Sequence, residues 1–214
     1  VLQSRGLGDV YKRQVLSYEV DVSKENEVID GVKKVLSDFG RIDCVFANAG
    51  INVFGGSFEE MNTEAYRKVL AVNLDGVFFT LRETIKHMVE RSKNGDAGGS
   101  VVGVASLAGI EGAAKTQPYS SSKGGVISMI KGIAVEHARY GIRANTILPG
   151  WVATEMTSIN QSNQKFTDKV IGRVPMRRWG EPRDFSGIAA YLASDASAYH
   201  SGDMFIIDGA YAIF

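Results

Sequence analysis

The sequence predicts an α/β protein whose sheet is parallel and assembled from βαβ units. Two observations predict it. Short apolar runs of strand length alternate with longer stretches patterned as helices, and the 214 residues include 24 glycines. In such a protein glycines serve tight strand-to-helix turns and close helix-on-strand contacts. A chain of this length is most simply one domain, able to bury roughly 70% of the surface its unfolded form exposes.

The elements follow in order. Val15–Val20 reads as a strand ending at Asp21, and Ser23–Phe39 as a helix with Ser23 as its N-cap and Gly40 as its C-cap. Cys44–Ala47 is the next strand. Thr63–Leu70 and Ala71–Glu90 form one long helix or two joined ones, after which a polar, glycine-rich loop, Lys93–Gly99, leads to the strand Val101–Ala105. Tyr119–Tyr140 is helical and closed by Gly141; Arg143–Leu148 is a strand ended by Pro149. Thr154–Arg173 is polar with weak periodicity, and the pattern fixes no element there. Glu181-Pro182-Arg183-Asp184 opens a helix to Leu192 with Pro182 in its first turn, and Met204–Ile207 is a last strand before Asp208-Gly209.

Composition excludes several classes. The 24 Lys and Arg balance 24 Asp and Glu, so no basic excess argues for nucleic acid or an anionic membrane as a partner. Cys44 is the one cysteine, set in an apolar run, and reads as a small core residue in a reducing compartment. One cysteine and three scattered histidines, His87, His137 and His200, make no metal cluster. Nothing resembles a membrane span or a secretory signal. A cytoplasmic enzyme fits these features.

Tyr119 and Lys123 carry the chemistry. Four residues apart at the start of a helix, they share one face, about 5–6 Å between Cβ atoms. A lysine cation beside a phenol favours the phenolate and lowers its pKa from about 10. Ser106, at the end of the strand Val101–Ala105, offers a hydroxyl to the same substrate oxygen. Together the three make a proton donor and acceptor for a carbonyl or an alcohol.

Further motifs surround them. Asn48-Ala49-Gly50 follows one strand, Asn73-Leu74-Asp75-Gly76 lies in a helix, and Pro149-Gly150-Trp151-Val152-Ala153-Thr154 follows another strand. In this order and spacing, from about Val15 to Phe214, the chain resembles the short-chain dehydrogenase/reductase family. The resemblance implies a Rossmann-like, doubly wound parallel sheet with strand order 3-2-1-4-5-6-7. It implies Tyr119 as catalytic acid/base, Lys123 as the cation that lowers its pKa and binds the nicotinamide ribose, and Ser106 as the partner of the substrate oxygen. Asn73 would hold a relay water near Lys123. Cofactor contacts carry over to Asp21 and Val22, to Asn48, Ala49 and Gly50, and to Pro149, Gly150, Val152 and Thr154, besides Tyr119 and Lys123. Thr154–Arg173 resembles the family's substrate flap, and Trp151 and Met156 either wall a pocket or belong to the core. The implied cofactor is NAD or NADP, the substrate a small alcohol or ketone, and the assembly a homo-oligomer, tetramer or dimer.

One family motif is absent: the strand followed by T-G-x-x-x-G-x-G. Only about 20 residues precede the position of Asp21, where the family uses two strands and two helices, roughly 50 residues by ordinary element lengths. Val1–Gln14 reads neither as a buried parallel strand nor as a useful amphipathic helix. The expectation is therefore a domain at 15–214 lacking the first two strands and helices, preceded by a non-family extension at 1–14. Two other functions stand beside an oxidoreductase: an inactive partial chain without dinucleotide binding, and a non-redox use of the scaffold as an epimerase or dehydratase.

Overall fold

A computed structural model describes residues 15–53 and 56–214. The expectation for Val1–Gln14 lies outside the described residues. Four strands, β1 (Cys44–Ala47), β2 (Gly99–Val104), β3 (Ile142–Pro149) and β4 (Met204–Ile207), form one sheet in the order β1-β2-β3-β4, every pair parallel. Val101 lies between Val45 and Ala144, and Gly103 between Ala47 and Thr146.

Alternation along the strands creates two cores. Val101, Ala144 and Leu148 face α3 (Gly76–Lys93) and α4 (Gln117–His137), where Leu81, Met88, Val126 and Ile130 are almost wholly buried. Their neighbours Val102 and Ile147 face the opposite side, against Leu192 of α7 (Ser186–Ala193). Period-two side-chain direction thus covers the sheet with helices on both faces, as expected of a doubly wound fold. Gly103 lets α4 lie close, because a Cβ there would come within 2.9 Å of both Val126 and Ile130.

Two expectations need correcting. Val15–Val20 forms no strand. A strand needs a neighbour to share its ladder, and this segment instead lies against α1 (Glu25–Phe39): Tyr18 Oη donates to Asp38, and Val20 fills the space left by Gly31. An apolar groove of about 320 Å³, lined by Val20, Val28, Val45 and Thr80 among others, borders β1. Ser23 is not the N-cap either. Lys24 holds that position, while Ser23 donates its N–H and hydroxyl to the Asp21 carboxylate and Glu27 accepts from the Asp21 N–H. At the other end Gly40 closes α1 in the left-handed region, with φ 76°.

The stretch from Thr63 to Lys93 resolves the choice between one helix and two. α2 (Thr63–Leu70), capped by the Asn62 side chain, runs through a π-helical turn at Ala71–Asp75 into α3. Wide turns of this kind recur at functional positions, and here the turn contains Asn73. The segment with weak periodicity folds as a 3-10 turn followed by α5 (Ser158–Ser162) and α6 (Gln164–Arg173). Its apolar anchor is Phe166, edge-on to Trp151 at 5.3 Å, with Trp179 on another side of Trp151.

Candidate active site

The C-terminal ends of three adjacent parallel strands bring the candidate residues to one end of the sheet, the region where open α/β sheets bind ligands. Asn48-Ala49-Gly50 leaves β1, Ser106 follows β2, and Pro149-Gly150 ends β3. α4 opens beside them with Pro118 in its first turn and places Tyr119 and Lys123 on one face.

Lys123 is buried, with 3% exposure, and its ammonium donates to the Val104 carbonyl at 2.8 Å. Burial without a neighbouring carboxylate pulls its pKa down to about 8. The ammonium lies 5.6 Å from the centre of the Tyr119 ring. Here the sequence expectation is corrected: burial pushes the Tyr119 phenol upward and the Ser106 hydroxyl pulls it back, while Lys123 contributes nothing to that shift. The ammonium is turned toward the end of β2, so the phenol stays protonated at neutral pH.

These shifts set a pH dependence. The folded pKa of Lys123 lies below its unfolded value of 10.5, so the folded state carries the cost of a buried charge below about pH 8. That cost fades as pH rises from 8 to 10.5, by at most about 3 kcal/mol. Tyr119 acts oppositely, and only above pH 10, where the unfolded phenol ionises first. Urea melts at pH 7 and pH 10 should show wild type gaining stability relative to Lys123→Met over this interval. An unchanged difference would contradict the buried lysine.

Asn73 is fully buried and both its carboxamide N–H groups are engaged. Oδ1 accepts the Ile51 N–H at 2.8 Å, while Nδ2 donates to the Ile51 carbonyl at 2.9 Å and to Ser122 Oγ at 3.1 Å. No carboxamide hydrogen remains for a water. Gly50 is adjacent: a Cβ there would lie 3.2 Å from the Lys123 ammonium and 3.4 Å from Asn73 Oδ1. Gly50, Ile51, Asn73, Ser122 and Lys123 thus form one packed cluster.

Ser106 has a second task, since its hydroxyl accepts from the Ala108 N–H and starts a 3-10 turn at Leu107–Gly109. That turn presses on α4: a Cβ on Gly109 would lie 2.9 Å from the Lys123 carbonyl carbon and 3.0 Å from the Gly124 nitrogen. The backbone contact fixes Ser106 relative to Tyr119.

The remaining expected positions are spread around this centre. Gly150 closes tightly on Asp208, where a Cβ would approach to 2.5 Å, and Val152 forms a bridge with Gly180. Thr154 caps the first turn of the flap through Thr157. Asp21 is occupied with Ser23 and Glu27, and Val22 packs on Gly76, explaining why α3 begins with a glycine. Trp151 walls a cavity of about 380 Å³ together with Met176, Phe185 and Asp208, a cavity whose lining includes neither Ser106 nor Tyr119. Met156 is half exposed, not core. Sequence reasoning passed over Ser122, Ile51 and Gly109; the one signal for Ser122 is its position three residues after Tyr119, on the same helix face.

Fold and site together define an α/β protein with a Ser-Tyr-Lys group at the carboxyl ends of its strands. A sequence model described as Enoyl-(Acyl carrier protein) reductase matches residues 4–212. Gluconate 5-dehydrogenase of Gluconobacter oxydans (strain 621H) is 33% identical over 189 residues, 88% of this chain and 72% of that protein. Levodione reductase superposes with a TM-score of 0.88 at 35% identity, covering 95% of this chain and 80% of that one. A gluconate 5-dehydrogenase from Burkholderia cenocepacia J2315, in complex with NADP and tartrate, superposes at 0.84 with 30% identity, over 90% and 73% of the two chains. The chain belongs to the short-chain dehydrogenase/reductase family, whose members here are oxidoreductases.

Proposed function

We propose that the site moves hydride between NAD or NADP and a secondary alcohol or its ketone, with Tyr119 as proton donor and acceptor. The observation that carries this reading is the juxtaposition of Tyr119, Lys123 and Ser106 where β2 ends and α4 begins. A nicotinamide supplies or accepts the hydride when bound. The residues at the strand ends suit such a group: Gly50 leaves space beside Lys123, and three buried polar atoms, Asn52 Oδ1, Gln117 Oε1 and Ser120 Oγ, have no partner among the described residues. Asp21, Val22, Asn48, Ala49, Gly50, Pro149, Gly150, Val152 and Thr154 would line its path, and Lys123 would exchange its bond to the Val104 carbonyl for a ribose hydroxyl.

In the reducing direction negative charge develops on the substrate oxygen. Ser106 and Tyr119 meet it with O–H donors, and Tyr119 gives up its proton. Once released from the Val104 carbonyl, a protonated Lys123 would stabilise the phenolate by its charge. Asn73 acts by placement, since its carboxamide is committed to Ile51 and Ser122.

The test follows absorbance at 340 nm with NADH or NADPH and a panel of ketones, gluconate-type keto acids included because two of the relatives act on gluconate. Since the sequence carries no T-G-x-x-x-G-x-G, the assay runs on the chain as given and on the chain joined to the glycine-rich unit of a relative. Turnover in the joined chain supports the reading; turnover in neither sinks it. We further propose a cytoplasmic homo-oligomer, dimer or tetramer. Val135 on α4, 84% exposed, and Phe78 on α3 leave apolar surface on the helices bearing the site. Light scattering at micromolar concentration should give at least twice the 23.2 kDa chain mass; a monomer contradicts this.

A further inference from the structure

Ser122 takes no part in proton transfer, yet it is completely buried between the two elements that carry the reactive groups. Its hydroxyl has one donor and two acceptor sites. The hydrogen goes to the Tyr119 carbonyl, three residues back in α4, at 2.7 Å. In return the oxygen accepts from Asn73 Nδ2, in the π turn, at 3.1 Å. Asn73 holds both backbone groups of Ile51, which immediately follows Gly50 beside the Lys123 ammonium. A closed chain of hydrogen bonds therefore runs from the Tyr119 backbone through Ser122 and Asn73 to the turn leaving β1.

We propose that Ser122 is a positioning residue, which locks the Asn73 turn and the Gly50-Ile51 turn to the catalytic turn of α4 and so sets where Lys123 and Tyr119 stand for proton transfer. The π turn explains why a lock is needed. A π turn is a local irregularity in a helix. Without an anchor, the side of the site made by Asn73 is free to shift relative to α4. Leu74 against Gly125 supplies apolar contact between the same elements, but only Ser122 ties the two by a directional bond among the described residues. Removing its hydroxyl leaves one carboxamide hydrogen of Asn73 buried with no acceptor.

The inference rests on the oxidoreductase reading for its kinetic consequence but not for its structural one, so the test has two arms. Hydrogen exchange on the 214-residue chain reads the lock directly: Ser122→Ala should speed exchange of the Ile51 amide about tenfold, leaving the amides of Leu81 and Met88 unchanged. Steady-state kinetics, in the form of the protein that turns over ketone, read its effect on chemistry. Ser122→Ala should lower kcat about tenfold with KM for dinucleotide nearly constant, and Ser122→Ala should add little further loss on top of Asn73→Ala, because both break the same chain. Unchanged Ile51 exchange overturns the proposal whether or not the protein is an oxidoreductase. Additive losses in kcat, or exchange accelerated uniformly through α3, also overturn it, by showing a general loss of packing. Failure of the enzyme reading appears separately, as no ketone turnover by the protein with Ser122 intact, alone or joined to the glycine-rich unit.

Discussion

Tyr119→Phe is expected to lower kcat by about a thousandfold or more while leaving dinucleotide affinity within a factor of about two. The substitution removes one hydroxyl from a ring that is otherwise kept in place at the start of α4. No other described side chain stands ready to replace it: Lys123 donates to Val104, and the Ser106 hydroxyl, an alcohol with a pKa far above that of a phenol, offers a hydrogen bond to the substrate oxygen but does not give up its proton. Because burial keeps the Tyr119 phenol protonated at neutral pH, the proton needed for ketone reduction is in place before substrate arrives. Oxidation requires the opposite state and should strengthen with rising pH. Turnover by Tyr119→Phe near the wild-type level would remove Tyr119 from the mechanism.

Gly109→Ala should also lower kcat, less steeply and through the backbone. The added carbon would meet the Lys123 carbonyl carbon at 2.9 Å, the Gly124 nitrogen at 3.0 Å and Ile127 Cδ1 at 3.1 Å. Backbone atoms inside a helix do not step aside as a flexible side chain does, so the 3-10 turn must move and carry Ser106 with it. Overpacking of this kind costs about 1–3 kcal/mol, and kcat should fall at least about tenfold through loss of one oxyanion donor. Gly112→Ala, three residues on, is the control, because a Cβ there meets nothing within 4 Å. Urea melts and kcat for the two variants check this together; equal behaviour would contradict the close contact.

How much of this was legible in the sequence depends on the range of the interaction concerned. Tyr119 and Lys123 were legible because helix periodicity is local, and four residues fix their shared face. Strands β1 to β4 were placed to within two residues at each end, since each is a short apolar run between helices. Val15–Val20 misled because a strand is defined by its neighbour, and an apolar run carries no record of whether that neighbour is present. Ser23 misled in a smaller way: its hydroxyl is turned back to the Asp21 carboxylate and away from the N–H groups of the first turn of α1. The flap helices were not legible because both are short: α5 has five residues and none buried, and the apolar line of α6, Phe166, Val170 and Ile171, spans too few turns to establish a period. The orientation of Lys123 was hidden for another reason. Its partner is a main-chain carbonyl at the end of β2, and every residue has one. Ser122, one of three consecutive serines, was not singled out, because only the fold of the π turn brings Asn73 against it.

The most direct test of the account is transfer of deuterium from dinucleotide labelled at the nicotinamide C4. Incubated with the protein joined to a glycine-rich loop, NADH and NADPH deuterated on each face in turn, and a ketone it reduces, the label should appear at the carbinol carbon from one face only. Tyr119→Phe should abolish the transfer while calorimetry still records binding. Label retained wholly in the dinucleotide, with ketone nonetheless consumed, or equal transfer by Tyr119→Phe, would contradict the assignment of this site.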